Sequence, residues 1–233
     1  MRYFLLFIAV LSLIFILFAC TTSSATAIDS PFSSAAIGDT IHLGGHDWRV
    51  LDIQGDRALV VSEYILMQRQ WNFEQRLIHW DSSSLRYYLN SSFFDNAFSD
   101  EEKQFILETQ IRNYVNPWYG TAGGGADTMD RVFLLSLHEV VYYFGDSGTL
   151  SGLTGTPVPN LPGFILDEYN DSRRTTAIDE DVVPWWWTRT PGRSVNSLQD
   201  ASAAAVTGAG DIFVYGIYLV TEGGVRPALW LQL

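Results

Sequence analysis

Cysteine is almost absent: the 233 residues hold one, Cys20. No internal disulfide can form, and a chain of this length buries enough surface not to need one. The part of the chain beyond Cys20 cannot run thiol redox chemistry, act as a cysteine protease or hold zinc through thiolates. Lysine is as scarce, with Lys103 alone, and 14 basic against 26 acidic side chains leave a formal charge of −12. Such a surface repels phosphate backbones, which argues against nucleic acid as a partner. It also repels anionic head groups, so membrane attachment must come through a lipid or an anchor. Internal repeats and a second domain boundary are lacking. What is plentiful is apolar and aromatic: 47% hydrophobic and 14% aromatic residues exclude a disordered chain.

The long apolar run is N-terminal. Met1-Arg2 precede uncharged YFLLFIAVLSLIFILFA, then Cys20 and the small polar TTSSATA. A basic start, an apolar segment and a small residue before the break describe an export signal over residues 1–19. Leu17-Phe18-Ala19-Cys20 resembles the lipobox of bacterial lipoproteins, and the resemblance implies lipidation at Cys20. Phe18 departs from it, standing where a small or β-branched residue is usual. Two other readings fit the same residues. One is an uncleaved anchor, for which 17 apolar residues give about 25 Å of helix against a bilayer core of about 30 Å. The other is cleavage after Ala25-Thr26-Ala27. Each leaves the remainder outside the cytoplasm. Residues 20–36 read as a lipidated cysteine and flexible tether, and 37–233 as one domain.

Alternation of apolar and polar residues predicts strands at 40–43, 47–53 and 57–65, with turns at Gly44-Gly45 and Gln54-Gly55-Asp56. Leu85, Tyr88 and Leu89 change the period and predict a helix over 83–90. Ser99 with Glu102 is a capping box opening a helix to about Leu107. A short strand at 132–135 precedes LHEVVYYF, a helix capped by Ser136 and ended by Gly145. Residues 145–184 read as irregular, and 185–190, 201–206, 211–215 and 225–231 as strands.

Three stretches carry a resemblance: SSLRYYLNSSFFDNAFSDEEKQFI, DTMDRVFLLSLHEVVYYFGDSG, and WWWTRTPG followed by GAGDIFVYGIYLVTEGGVRPALWL. Their order resembles a family of bacterial surface domains of unknown function. That family is distantly similar to formylglycine-generating enzymes and to the variable proteins of diversity-generating retroelements. The resemblance implies an α+β, C-type-lectin-like fold: a twisted antiparallel β core, two or three helices and long irregular loops. It further implies that the 37–53 region pairs with the last strand, near 224–230. It does not carry catalysis, because formylglycine generation needs a cysteine pair.

Candidate sites follow from residue chemistry. Aromatic faces stack on sugar rings or peptide aromatics, and arginine presents planar donors. Trp118, Tyr119, Trp186, Arg193, Tyr215 and Tyr218 are the ligand-binding candidates, on loops over 115–128, 145–184 and 190–218. Trp185 and Trp187 are read as core. Arg189 is expected to pair with an internal carboxylate, and Arg226 to tie the last strand to a carboxylate or loop carbonyls. Asp127 and Asp130, after the glycine-rich 123–125, are weak calcium candidates; no other cofactor is expected. Gly145-Asp146-Ser147-Gly148 matches a protease nucleophile motif but lacks the histidine context that chemistry needs, and reads as a turn. His42 and His46, separated by two glycines, read as flanking a hairpin. The expectation is a non-catalytic, lipid-anchored module binding a glycan, peptide or protein. The alternatives are a carboxylate-dependent hydrolase such as a glycosidase, needing two acids about 5–10 Å apart across a cleft, and a structural subunit of an envelope complex.

Overall fold

The computed structural model describes residues 30–118, 124–148, 163–179, 181–193 and 201–233. The expected export signal, Cys20, Tyr119 and parts of the expected 115–128, 145–184 and 190–218 loops lie outside the described residues. The domain opens with a meander of β1 (Thr40–Leu43), β2 (His46–Gln54) and β3 (Arg57–Ser62), followed by β4 (Met67–Gln70). Gly44 and Gly45, at φ 60° and 73°, form the first turn with the left-handed backbone that glycine adopts without strain. His46 pairs with Leu43 and His42 with Asp47, so the two histidines do flank a hairpin.

Helices come next. α1 (Ser84–Tyr88) is capped by the Ser83 side chain and runs through a π turn at Leu89–Phe93 into α2 (Phe94–Ala97), further than the expected 83–90. α3 (Asp100–Lys103) begins on the Ser99–Glu102 capping box but is one turn long. It stops because Ile106 and Leu107 form β5 (Ile106–Leu107) against Leu231 and Trp230, where sheet pairing buries them. β6 (Thr109–Ile111), β7 (Thr128–Asp130) and β8 (Phe133–Leu134) follow. α4 (Leu137–Phe144) is bounded by the Ser136–Glu139 capping box and by Gly145 at φ 104°. Then come β9 (Phe164–Ile165), α5 (Asn170–Arg173), β10 (Trp186–Pro191), β11 (Ser202–Val206), β12 (Ile212–Tyr218), β13 (Glu222–Val225) and β14 (Pro227–Gln232).

The elements make an α+β domain of mostly antiparallel sheets. One sheet has the order β1-β2-β3-β14-β5, with β8 also on β14; the second runs β4-β13-β10-β11-β12-β9; β6 and β7 pair alone. The stretch expected as one strand over 225–231 breaks at Arg226. β13 pairs with β4 in the second sheet, and β14 pairs with β3 in the first. Two neighbouring segments, 57–70 and 222–232, therefore each cross from one sheet to the other and bind the two sheets together. This also corrects the expected closure: the final strand lies beside 57–62, not beside 37–53.

Trp48, Trp71, Trp80, Trp118, Trp186 and Trp187 are fully buried, so most of the indole rings fill the interior. Residues 30–36, expected to belong to a flexible tether, pack on the domain. Ser30 donates its hydroxyl to the Gln232 carbonyl at 2.6 Å, and Phe32 packs edge-on to Phe105 with ring centres 5.9 Å apart, docking 30–36 on the end of β14.

Candidate functional site

The second sheet is irregular on both sides of Ala204. Along β10, Trp187 faces Ala205 and Pro191 faces Ala203, so Thr188, Arg189 and Thr190 together oppose Ala204. Along β12, Ala203 faces Ile217 and Ala205 faces Phe213, so Val214, Tyr215 and Gly216 oppose the same residue. Bulges of this kind re-aim side chains beside functional sites. The β10 bulge sends the Arg189 guanidinium to the start of α4. There Nη2 donates to Glu139 Oε1 at 2.9 Å, Nη1 binds Glu139 Oε2, and further donors reach the carbonyls of Leu134 and Arg112. The internal carboxylate expected for Arg189 is thus Glu139, which also completes the capping box of α4.

The β12 bulge makes a groove. In a regular strand Phe213 and Tyr215 share one face and Tyr218 takes the other. Gly216, at φ 89°, breaks that alternation, and Phe213, Tyr215 and Tyr218 line one groove of about 580 Å³ with Arg193, Ser202 and Ile217. That volume is in the range of small-ligand sites. Tyr215 and Tyr218 are 44% and 55% exposed. Phe164 on β9 stacks on Phe213 with ring centres 4.3 Å apart and planes 16° apart; Phe213 and Tyr215 continue the series at 6.2 Å and 13°. Arg193 caps it, its guanidinium 4.8 Å from the Tyr215 ring centre and its Nη1 donating to the Tyr215 hydroxyl at 2.7 Å.

The polar groups released by the bulge find partners. The amides of Val214 and Tyr215 both donate to the Gly163 carbonyl, at 2.9 and 3.4 Å. The Tyr215 carbonyl accepts from the Arg193 amide at 2.8 Å and the Ser202 hydroxyl at 3.2 Å. Buried Asn116 donates to the carbonyls of both Val214 and Pro191, each at 2.9 Å, clamping the end of β10 to the bulge. A bulge satisfied at each of these groups is held in one shape.

Three of the ligand-binding candidates, Arg193, Tyr215 and Tyr218, therefore meet in one place. Trp118 and Trp186 do not, and are corrected to core residues. Trp118 is 1% exposed, positioned by its amide donating to Asn116 Oδ1, and Trp186 is wholly buried beneath the Arg226 guanidinium. Trp187 is buried as expected. Trp185 is half-buried and meets Trp187 edge-on at 4.8 Å, which is the shared face that strand alternation predicts. Arg226 is tied to a carbonyl, its Nε donating to Ser62 at 3.0 Å, and lies between the rings of Trp186 and Phe144 at 5.1 and 5.3 Å. Burial and the nearby Arg49 push its guanidinium down to about 9, against the pull of Glu63. Asp130 is corrected from a calcium candidate to an internal acceptor. It is buried, receives Trp80 Nε1 and Thr128 Oγ1 at 2.9 Å each, and pairs with Arg86 at 2.6 Å. Asp127 accepts from the Asn113 amide at 3.2 Å. Among the described residues no three His, Cys, Asp or Glu side chains gather to hold an ion.

A second groove, of about 320 Å³, brings Asp52 and Glu139 to one wall with Tyr142, Tyr143 and Trp230. A hydrolase needs one acid with an available proton and one available base. Here Glu139 is engaged by Arg189 and by the Ser136 amide and hydroxyl, at 2.6 and 2.9 Å. Asp52 accepts from the Gln54 amide and the Tyr143 hydroxyl at 2.8 and 3.2 Å. Burial and the two carboxylates hold the Tyr143 phenol well above its ordinary range, so it stays a proton donor to Asp52. Both acids serve as acceptors in internal networks.

Phe164, Ser202, Phe213 and Ile217 were not among the candidates, and neither were Gly216 and Asn116, which shape the bulge. A glycine inside an apolar strand pattern is the signal for Gly216, since it often marks a bulge. Asn116 carried no signal, because its partners are remote carbonyls. No curated protein and no solved structure matches this chain. A family model described as a domain of unknown function, DUF6273, matches residues 55–233, well over half of the sequence, and the chain belongs to that family.

Proposed function

We propose that this protein is an exported, lipid-anchored binding module that holds an extracytoplasmic ligand, without chemistry, in the groove of the β12 bulge. The observation that carries the reading is the convergence of Arg193, Tyr215 and Tyr218 on a groove whose backbone is fixed by Asn116 and Gly163. Rigid aromatic walls with one planar cation bind by shape and stacking at low entropic cost. The pattern of residues 1–20 supports export and attachment through Cys20. A C-type-lectin-like fold, distantly similar to that of formylglycine-generating enzymes, is the finer architecture we propose. Its support is the mostly antiparallel β core with a few short helices packed on it.

A screen of glycans and peptides, with and without calcium, tests the reading on wild-type and Tyr215→Ala protein. Binding without turnover that falls at least tenfold in the variant supports it. Product formation, or binding indifferent to Tyr215, overturns it. Mass spectrometry of the membrane fraction tests the anchor, which requires an acylated Cys20 at the mature N-terminus.

A further inference from the structure

We propose that the β12 groove selects a sugar ring bearing an acid group, and that Arg193 reads its charge; this rests on the groove being the ligand site. The basic side chains of the domain divide into two sets. Arg49, Arg76, Arg86, Lys103, Arg131, Arg173, Arg174 and Arg189 each face a carboxylate. Arg57, Arg69, Arg112, Arg193 and Arg226 form the other set, lying on aromatic rings with no carboxylate partner among the described residues. The grooves beside Arg57, Arg69 and Arg112 contain acids, Arg226 is buried, and Arg193 alone of the five lines a groove with no described carboxylate. In a chain of net charge −12 carboxylates are the abundant neighbour, yet this exposed guanidinium and the described walls of its groove hold none.

The described walls of the groove carry that one positive charge and no negative one: beside Arg193 stand a serine hydroxyl, a glycine, an isoleucine and three aromatic rings. An anion repelled by the rest of the surface gains a charge-assisted hydrogen bond here. The bond between Nη1 and the Tyr215 hydroxyl, at 2.7 Å, fixes the plane of the fork that would receive it.

The rings argue for a sugar. Phe164 stacks across the strands on Phe213, whose plane lies 13° from that of Tyr215, and the part-exposed rings of Tyr215 and Tyr218 supply aromatic surface to the groove. Exposed aromatic surface matches the C–H face of a pyranose, and a cation beside it matches a substituent on that ring's edge. The shared chemistry is a pair of anionic oxygens on a sugar, whether a uronic-acid carboxylate or a phosphate ester.

Calorimetric titration of the full-length protein in detergent separates the possibilities, with three probes: an oligogalacturonide, its fully methyl-esterified form, and a hexose phosphate. Methyl esterification removes the charge and keeps the rings. The acid form is expected to bind at least tenfold more tightly than the ester. Arg193→Gln is expected to erase that difference, and Arg193→Lys to restore part of it. Tighter binding of the hexose phosphate assigns the acid group as phosphate and supports the proposal equally. Equal binding of acid and ester, or an Arg193→Gln variant that keeps the preference, overturns the charge selection and leaves the groove reading standing. Failure of all three saccharides to bind, or capture of a peptide alone, overturns the sugar proposal and leaves the groove reading standing, whereas binding unmoved by Tyr215→Ala overturns both. Thermal midpoints matching wild type confirm that the Arg193 variants remain folded.

Discussion

Arg226 is a buried positive charge with one hydrogen bond among the described residues. Its Nε reaches the Ser62 carbonyl, its Nη1 is buried with no hydrogen-bond partner, and two aromatic faces supply most of its surroundings. Replacing a buried charge by an apolar side chain of similar volume is often neutral or stabilising, whereas truncation leaves a cavity. Arg226→Ala is therefore expected to lose about 2–4 kcal/mol in chemical denaturation. Arg226→Met should stay within about 1.5 kcal/mol of wild type. A methionine variant as damaged as the alanine one would show that the guanidinium itself holds the two sheets together. Burial of this arginine was legible in the sequence, since it stands between apolar residues of a terminal strand. So was the carboxylate partner of Arg189, because an acidic chain supplies one wherever a cation is buried. Exposure was not legible for tryptophan: Trp118 and Trp186 have the same chemistry as a surface aromatic, and only packing places them inside.

Among elements, the β12 bulge depends on Gly216. A Cβ there would stand 2.8 Å from the Ala203 carbonyl oxygen, in a backbone conformation that side chains rarely adopt. Gly216→Ala should lower stability by about 1–3 kcal/mol and weaken ligand binding more than Tyr218→Phe does, as measured by thermal melts and titration. The segment leading to α5 offers a pH test. Asp167 receives both Nη groups of Arg173, at 2.8 and 2.9 Å, with Arg173 wholly buried. Burial alone would raise its carboxyl, but Arg173, the Tyr169 amide and the Ser147 hydroxyl outweigh it and hold it below its ordinary value. The stability it contributes is present above the ordinary carboxylate range near pH 4 and is lost as pH falls through the depressed folded value. Asp167→Asn is expected to cost about 2–4 kcal/mol at pH 7, with the gap to wild type closing below pH 4. A gap that stays constant to pH 2 would deny the carboxylate this role. Hairpins and capping boxes were readable because their partners are a few residues away. The bulges were not, since their register is set by strands far along the chain.

For the molecule as a whole, the α+β class came from the family resemblance, and periodicity and capping signals marked the first three strands and the helix starts, while β9 and α5 inside the stretch read as irregular and the connectivity between sheets were not legible. The apolar run at 225–231 reads as one strand, and nothing in its pattern marks Arg226 as the point where it leaves one sheet for the other. The convergence of Arg193 with Tyr215 and Tyr218 was likewise visible only as residue types, because bulge and groove arise from pairing. The position of β14 has a consequence for biogenesis. It is an interior strand of the first sheet, contacted by β3, β5 and β8, and its end is fastened by Leu233 to Asp56 at 2.7 Å. A sheet cannot close around a chain that still lacks its interior strand. A polypeptide released at residue 226 keeps every groove residue and still lacks the keystone. It would leave the ribosome, or enter the translocation channel, as an open chain, and quality control would meet it before any ligand did.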